Sequence, residues 1–278
     1  MCFPHLHACE YQREHDGDSG DEAEPANKAL ALDPKLGVAH GYLGFGHLLE
    51  NDLPKAAREF ELSFQISPDE PRVISNVSQM LAQLGRADEA VRAQRWLVLR
   101  DPASAQSQFN FCNHLLGADQ LEDAESTCRT GLLLTPDYVY GHAVLAQVLL
   151  QRGQFEASLK EANAETDPGT KLVQAAKALD ALGRRAESEK ALQHMIKNHS
   201  EGYDFGPAEV YAHRGDADKA FEWLERARLA DDPEISNTHV STALANLHKD
   251  PRWIPFLRKI GRAPEQLAKI KFNPKLPD

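Results

Sequence analysis

From residue 37 to residue 234 the chain repeats one arrangement of small, large and polar positions. Prolines 34, 68, 102 and 136 stand 34 residues apart and serve as the ruler. Units counted from residues 37, 71, 105 and 139 continue, after two short deletions, with units from 169 and 201. The eighth position of the six units holds Gly44, Ser78, Cys112, Ala146, Ala176 and Ala208. The twentieth holds Ala56, Ala90, Ala124, Ser158, Ser188 and Ala220, so both positions are small throughout. The seventh is large in Leu43, Val77, Phe111 and Leu145, and the eleventh in Leu81, Leu115, Leu149, Leu179 and Tyr211, with His47 the exception.

Self-similarity at such a period marks a repeat architecture. Two antiparallel helices of one unit approach closely when their facing seam carries no bulk, and a leucine on that seam would overpack it by about 1–3 kcal/mol. The large positions then form a core shared by neighbouring units. Four phrases, "LGRADEAVRAQ", "RGQFEASLKEA", "LGRRAESEKAL" and "RGDADKAFEWL", mark the bend inside a unit. Gly85, Gly153, Gly183 and Gly215 fall at that bend, where a residue free to take positive φ ends the first helix. Acidic residues such as Asp88, Glu89, Asp216 and Asp218 follow, where they suit the N-terminal dipole of the second helix. The unit-ending prolines stop that helix.

A 34-residue helix–turn–helix unit of this kind resembles the tetratricopeptide repeat. The resemblance covers residues 37–234 as units 37–70, 71–104, 105–138, 139–168, 169–200 and 201–234. It implies an all-α, right-handed α-solenoid and little about function. The stretches "LDALGRRAESEKALQHMI", "DADKAFEWLERA" and "DPRWIPFLRKIG" also resemble bacterial proteins that carry such an array behind a nucleotide-cyclase or winged-helix domain.

Residues 21–36 read as a half repeat, the second helix of a unit whose first helix would occupy residues 3–16. Glu10 is wrong for a small-residue position there. Residues 1–20 are therefore expected to be a disordered or irregular leader, and the chain to be the C-terminal portion of a longer protein or a gene product with a lost or misplaced start; an irregular cap is the alternative. Residues 235–278 are expected to cap the stack. Ile235–Leu247 would form one helix, Trp253, Phe256 and Leu257 a plug, and Pro264 would open a helix through residue 271. A loose tail would follow Phe272.

Composition narrows the functional classes. The chain has 278 residues, 42% hydrophobic and 26% charged, which suits a folded globular protein. Its net charge of -11 disfavours direct nucleic-acid binding, because phosphates would be repelled. The charge is uneven: residues 1–36 carry eight acids and three bases, residues 249–278 eight bases and three acids. No apolar run is long enough to span a bilayer, and no signal peptide is visible, so a cytoplasmic location is expected. Cys112 and Cys128, sixteen apart inside one unit, read as small buried residues in a reducing compartment, with a disulfide as the lesser alternative.

No motif of catalysis, metal binding or cofactor binding stands out. Cys2, His5, His7 and Cys9 are soft ligands with no second cluster to complete a zinc site. His194 and His199 lack a third ligand. The sequons at Asn76 and Asn198 read as coincidence, the first because it falls in the core register. Asp88 and Glu89 lie where helix starts place acids. No enzyme and no cofactor is expected.

The inner face offers the one place for binding. First helices line the concave side of such a stack. Their ninth position reads Gln79, Asn113 and Gln147 in successive units, then Lys177. Around this ladder of amides the register places Arg72, Ser75, Gln106, Phe109 and Tyr140. Amides at a fixed spacing suit an extended peptide backbone, with Phe109 and Tyr140 as apolar anchors. Arrays that grip a carboxylate with lysines are matched only at Asn110, since Ser75 and Gln106 stand where those lysines would be. The expected partner is a protein or peptide held in the groove, and a lining of Arg72, amides and aromatics suits a neutral or mildly acidic one. The alternative is a regulatory array of a longer cyclase or winged-helix regulator whose effector domain lies outside this chain.

Overall fold

A computed structural model describes residues 23–199 and 203–276. The leader, its Cys2–Cys9 cluster and the expected helix over residues 3–16 lie outside the described residues. A lone helix α1 (Ala23–Leu32) is followed by six antiparallel pairs. These are α2 (Gly37–Leu49) with α3 (Leu53–Ile66), α4 (Pro71–Gln83) with α5 (Ala87–Arg100), and α6 (Ala105–Gly117) with α7 (Leu121–Leu134). Next come α8 (Gly141–Gln151) with α9 (Phe155–Ala164), α10 (Pro168–Ala181) with α11 (Arg185–His199), and α12 (Phe205–His213) with α13 (Ala217–Leu229). No strand occurs among the described residues. Each helix packs on its partner and on the next unit, giving an all-α solenoid, and α1 packs on α2.

The seam explains the pairing. Gly44 is buried, and the other eleven residues at the two small positions are at most 1% exposed. At Gly44 a Cβ would come within 2.6 Å of the Phe60 ring, so α2 and α3 could not keep their approach with an alanine there. At two of the seam serines the hydroxyl turns back on the partner helix: Ser158 Oγ donates to Ala146 O and Ser188 Oγ to Ala176 O, both at 2.7 Å. Burial of a hydroxyl is tolerated because it is hydrogen-bonded.

The bend is equally regular. The fifteenth residue of every unit is left-handed: Asn51, Gly85, Asp119, Gly153, Gly183 and Gly215, with φ between 59° and 76°. Asn and Asp join glycine here because their short polar side chains tolerate that conformation. Asp88 and Glu89 lie in the first turn of α5, and Asp216 caps α13 by accepting from Lys219 N at 3.1 Å.

Cys112 and Cys128 form a disulfide, contrary to the expectation of free thiols. They occupy positions eight and twenty-four of one unit, which face each other across α6 and α7 with Cα atoms 5.4 Å apart. That spacing lies within disulfide reach.

The C-terminal region departs most from expectation. In place of one helix over Ile235–Leu247 there are two 3-10 helices, Pro233–Asn237 and Thr242–Leu247, then α14 (Trp253–Lys259) and a single turn, α15 (Pro264–Leu267). Asp232 stops α13 and redirects the chain, its carboxylate accepting from Phe205 N and Glu234 N at 2.9 Å each. Trp253, Phe256 and Leu257 do plug the last units, joining Phe221, Trp223 and Leu224 in one core. As far as residue 276 the tail, expected to be loose, stays on the fold. Phe272 is 1% exposed and sits in the core of the first units with Phe60, Val77 and Met80, and Leu276 packs on that core.

Candidate functional site

Residues 233–272 run back along the inner face of the solenoid, from its last unit to its first. Asn237 Oδ1 accepts from Gln83 Nε2 at 2.7 Å, and His239 Nε2 donates to Gln83 O at 2.8 Å. The Arg86 guanidinium reaches Phe272 O, and the Arg262 guanidinium reaches Asn51 Oδ1. The groove expected to be open is thus spanned by the chain itself. Apolar side chains explain the path: Phe272 is covered by joining the first core.

Between the first helices and this returning segment lies a cavity of about 650 Å³. Such a volume is ordinary for a ligand site. Its wall brings together the whole ninth-position ladder: Gln79, Asn113, Gln147 and Lys177. Phe205 and Glu209 of α12 extend that wall, and Glu234, Asn237, His239, Val240 and Ser241 of the returning segment close the other side.

Lys177 is not a free cation on this wall. It is 1% exposed, and its Nζ donates to Gln147 Oε1 and Glu209 Oε2, both at 2.9 Å. Burying a lysine requires such a partner, because an unpaired charge in the interior is costly. Glu209 is itself the ninth residue of the sixth unit, so the ion pair continues the ladder by one step. Nothing in the amide reading pointed to it, although the register contained it.

The other expected groove residues lie elsewhere. Phe109 and Tyr140 are 2% and 5% exposed and belong to the interior. Phe109 stacks on Tyr138 with centroids 4.4 Å apart, in space left by two glycines: a Cβ on Gly131 or Gly141 would stand 2.9 or 2.7 Å from its ring. Tyr140 holds a left-handed turn before α8, its N–H donating to Glu165 Oε1 at 3.3 Å. Both rings, expected as exposed anchors, are covered by the chain itself. Arg72 is exposed and bonds Tyr42 Oη at 2.7 Å, outside the cavity wall. Ser75 and Gln106 are half-buried and also off that wall. Asn76 is 1% exposed, so its sequon is closed in the fold.

The cavity has a distinct polarity. Three amide oxygens of wall residues, on Gln79, Gln83 and Gln174, are buried without a hydrogen-bond partner, as is Gln79 Nε2. The orientation at Gln83 is fixed by a relay. The Glu234 carboxylate accepts from Asn237 Nδ2 at 3.2 Å, which turns Asn237 Oδ1 toward Gln83 Nε2 and leaves Gln83 Oε1 unpaired. His114 and His239, also on the wall, are pushed down to about 4 by burial, so both rings are neutral near pH 7. Among the described residues no cluster of three metal-ligating side chains occurs, and no helix is long and apolar enough to cross a membrane.

The tetratricopeptide-repeat family model matches residues 139–159 and 208–226. No curated protein sequence matches the chain. Among solved structures, the type IV pilus biogenesis factor PilW is similar at 20% identity, covering 73% of this chain and 94% of that one, with a TM-score of 0.59. A thermophilic tetratricopeptide-repeat protein of Thermus thermophilus is 19% identical over 67% of this chain and 99% of its own, with a TM-score of 0.54. A tetratricopeptide-repeat protein of Parabacteroides merdae is 13% identical over 90% and 98%, with a TM-score of 0.51. At such identities the likeness is one of fold. With the family model on two of its units and this fold along its length, the chain carries tetratricopeptide repeats and is an α-solenoid built from them.

Proposed function

We propose that the chain is a non-catalytic protein-interaction scaffold that holds a short extended segment of a partner in the cavity beneath its returning C-terminal segment. The observation that carries this reading is the set of unpaired amide groups on Gln79, Gln83 and Gln174 around one cavity. A buried amide without a partner destabilises the fold by roughly 1–3 kcal/mol; these atoms have almost no exposed surface, so rotation of the side chain into the cavity is what lets a ligand pair with them and recover that energy. The unpaired amide atoms are three acceptors and one donor, so they suit a segment rich in N–H groups, such as peptide backbone or a lysine side chain. The wall's carboxylates Asp119, Glu209 and Glu234 outnumber its one lysine, and Arg72 is off it, which favours a neutral or basic segment over the mildly acidic one expected from the sequence.

The test selects binding peptides from a displayed library with the full chain, then measures affinity for the Gln79→Leu and Gln174→Leu variants. Each should weaken binding by roughly tenfold while leaving the fold as stable or more so. Selected peptides that bind both variants as tightly as the parent would place the site elsewhere.

A further inference from the structure

A second cavity, of about 670 Å³, lies on the side of the molecule where the C-terminal segment meets the first unit. Its wall carries Arg58 from α3 and Arg262, Lys269 and Lys271 from the C-terminal segment, against one acid, Glu61. Four positive charges face one negative charge, in a chain whose net charge is -11. Like charges gather this way at a cost unless an anion compensates them.

Arg262 makes the case specific. It is 2% exposed, yet among the described residues no carboxylate pairs with it. Its guanidinium donates to two neutral oxygens, Ser236 O at 3.2 Å through Nε and Asn51 Oδ1 through Nη2. Burial pushes its ionisation down to about 10, with no neighbouring charge to offset the loss of water. A buried charge without a counter-ion is the situation folded proteins avoid, and arginine is the side chain best shaped to hold an oxyanion by two parallel bonds. Arg262 supplies the buried head of the site, while Arg58, Lys269 and Lys271 supply exposed charge around it.

We propose that this cavity binds a phosphate-bearing small molecule, with Arg262 as the central donor and Arg58, Lys269 and Lys271 around it. A monocarboxylate would neutralise one of three surplus charges, whereas a phosphate monoester or pyrophosphate carries two or more. The cavity is also larger than a lone phosphate needs, which leaves room for the group that bears it. Since the site joins the first unit to the C-terminal segment, an anion seated there would clamp that segment in place. The proposal is independent of the peptide-binding reading.

The experiment is a thermal-unfolding titration of the full chain with inorganic phosphate, then with pyrophosphate, against sodium chloride at matched ionic strength. The midpoint should rise saturably with phosphate, and at lower concentration with pyrophosphate, as expected when a ligand binds the native state alone. In Arg58→Gln and Lys271→Gln, which change exposed side chains and keep the fold, half-saturation should move to roughly tenfold higher concentration. Arg262→Met should abolish the effect, and circular dichroism would show whether that variant retains its helices. A rise no larger than that given by chloride would overturn the proposal, as would a rise unchanged in both exposed-residue variants.

Discussion

Ser158 donates from Oγ to the carbonyl oxygen of Ala146 at 2.7 Å, and Ser188 repeats the bond to Ala176 at the same distance one unit later. In each pair both residues are buried at the two small positions of a unit, so the seam excludes water as well as bulk. Helix pairing rests on that closeness.

Enlarging the seam therefore tests it. Ala90→Leu and Ala124→Leu, each at a 0% exposed residue, should destabilise the chain by about 1–3 kcal/mol in urea unfolding. Leu133→Ala, at an 84% exposed leucine of α7, should change stability by less than about 0.5 kcal/mol. Equal effects at the two kinds of site would contradict the seam.

The Lys177–Glu209 pair is predicted to behave as one unit. Lys177→Met leaves a mostly buried carboxylate without its cation and should cost about 3–5 kcal/mol. Adding Glu209→Gln should recover part of that loss, which a double-mutant cycle would read as a coupling energy. Additive losses would mean that the two groups do not interact.

The disulfide joins residues 16 apart in sequence, so its reduction should lower stability by about 3 kcal/mol. Unfolding with and without a reductant, together with a thiol count on the denatured protein, measures this. Two titratable thiols at Cys112 and Cys128 before reduction would refute the bond.

Stability should fall in mild acid. In the unfolded chain His114 and His239 take up protons near pH 6.5, whereas in the fold they do so only near 4. Between those values the unfolded state binds more protons. Stability is thus full above about pH 6.5 and is lost as pH drops toward 4, on the order of 3 kcal/mol per ring. Replacing both residues with glutamine should flatten this slope in urea unfolding from pH 7 to 4.5, and an unchanged slope would assign the loss to other groups.

What is legible in the sequence follows from how packing constrains it. The seam, the bend and the shared core recur because the same contact recurs in each unit, so the positions of Ala90, Ala124 and Gly85 carry a periodic signature. The ninth-position ladder is legible for the same reason. The return of the C-terminal segment is not, since Gln83 meets Asn237 across 154 residues and Arg86 meets Phe272 across 186, and neither pair belongs to the repeat. Counting positions alone puts Phe109 on the inner face. The signal for its true place is Gly131 and Gly141, whose missing side chains make room for its ring. Cys112 and Cys128 can be recognised as neighbours on one seam, but sequence does not supply their facing orientation.

Closure of the C-terminal segment over the inner face creates both cavities, and both proposals depend on it. The most direct measurement is a nuclear Overhauser experiment on methyl-labelled protein with the Phe272 ring assigned. The ring should show contacts to methyl groups of the first units, among them Val77 and Met80, in whose core it is buried. Contacts confined to the last units, or none beyond sequence neighbours, would show an open solenoid and contradict that closure.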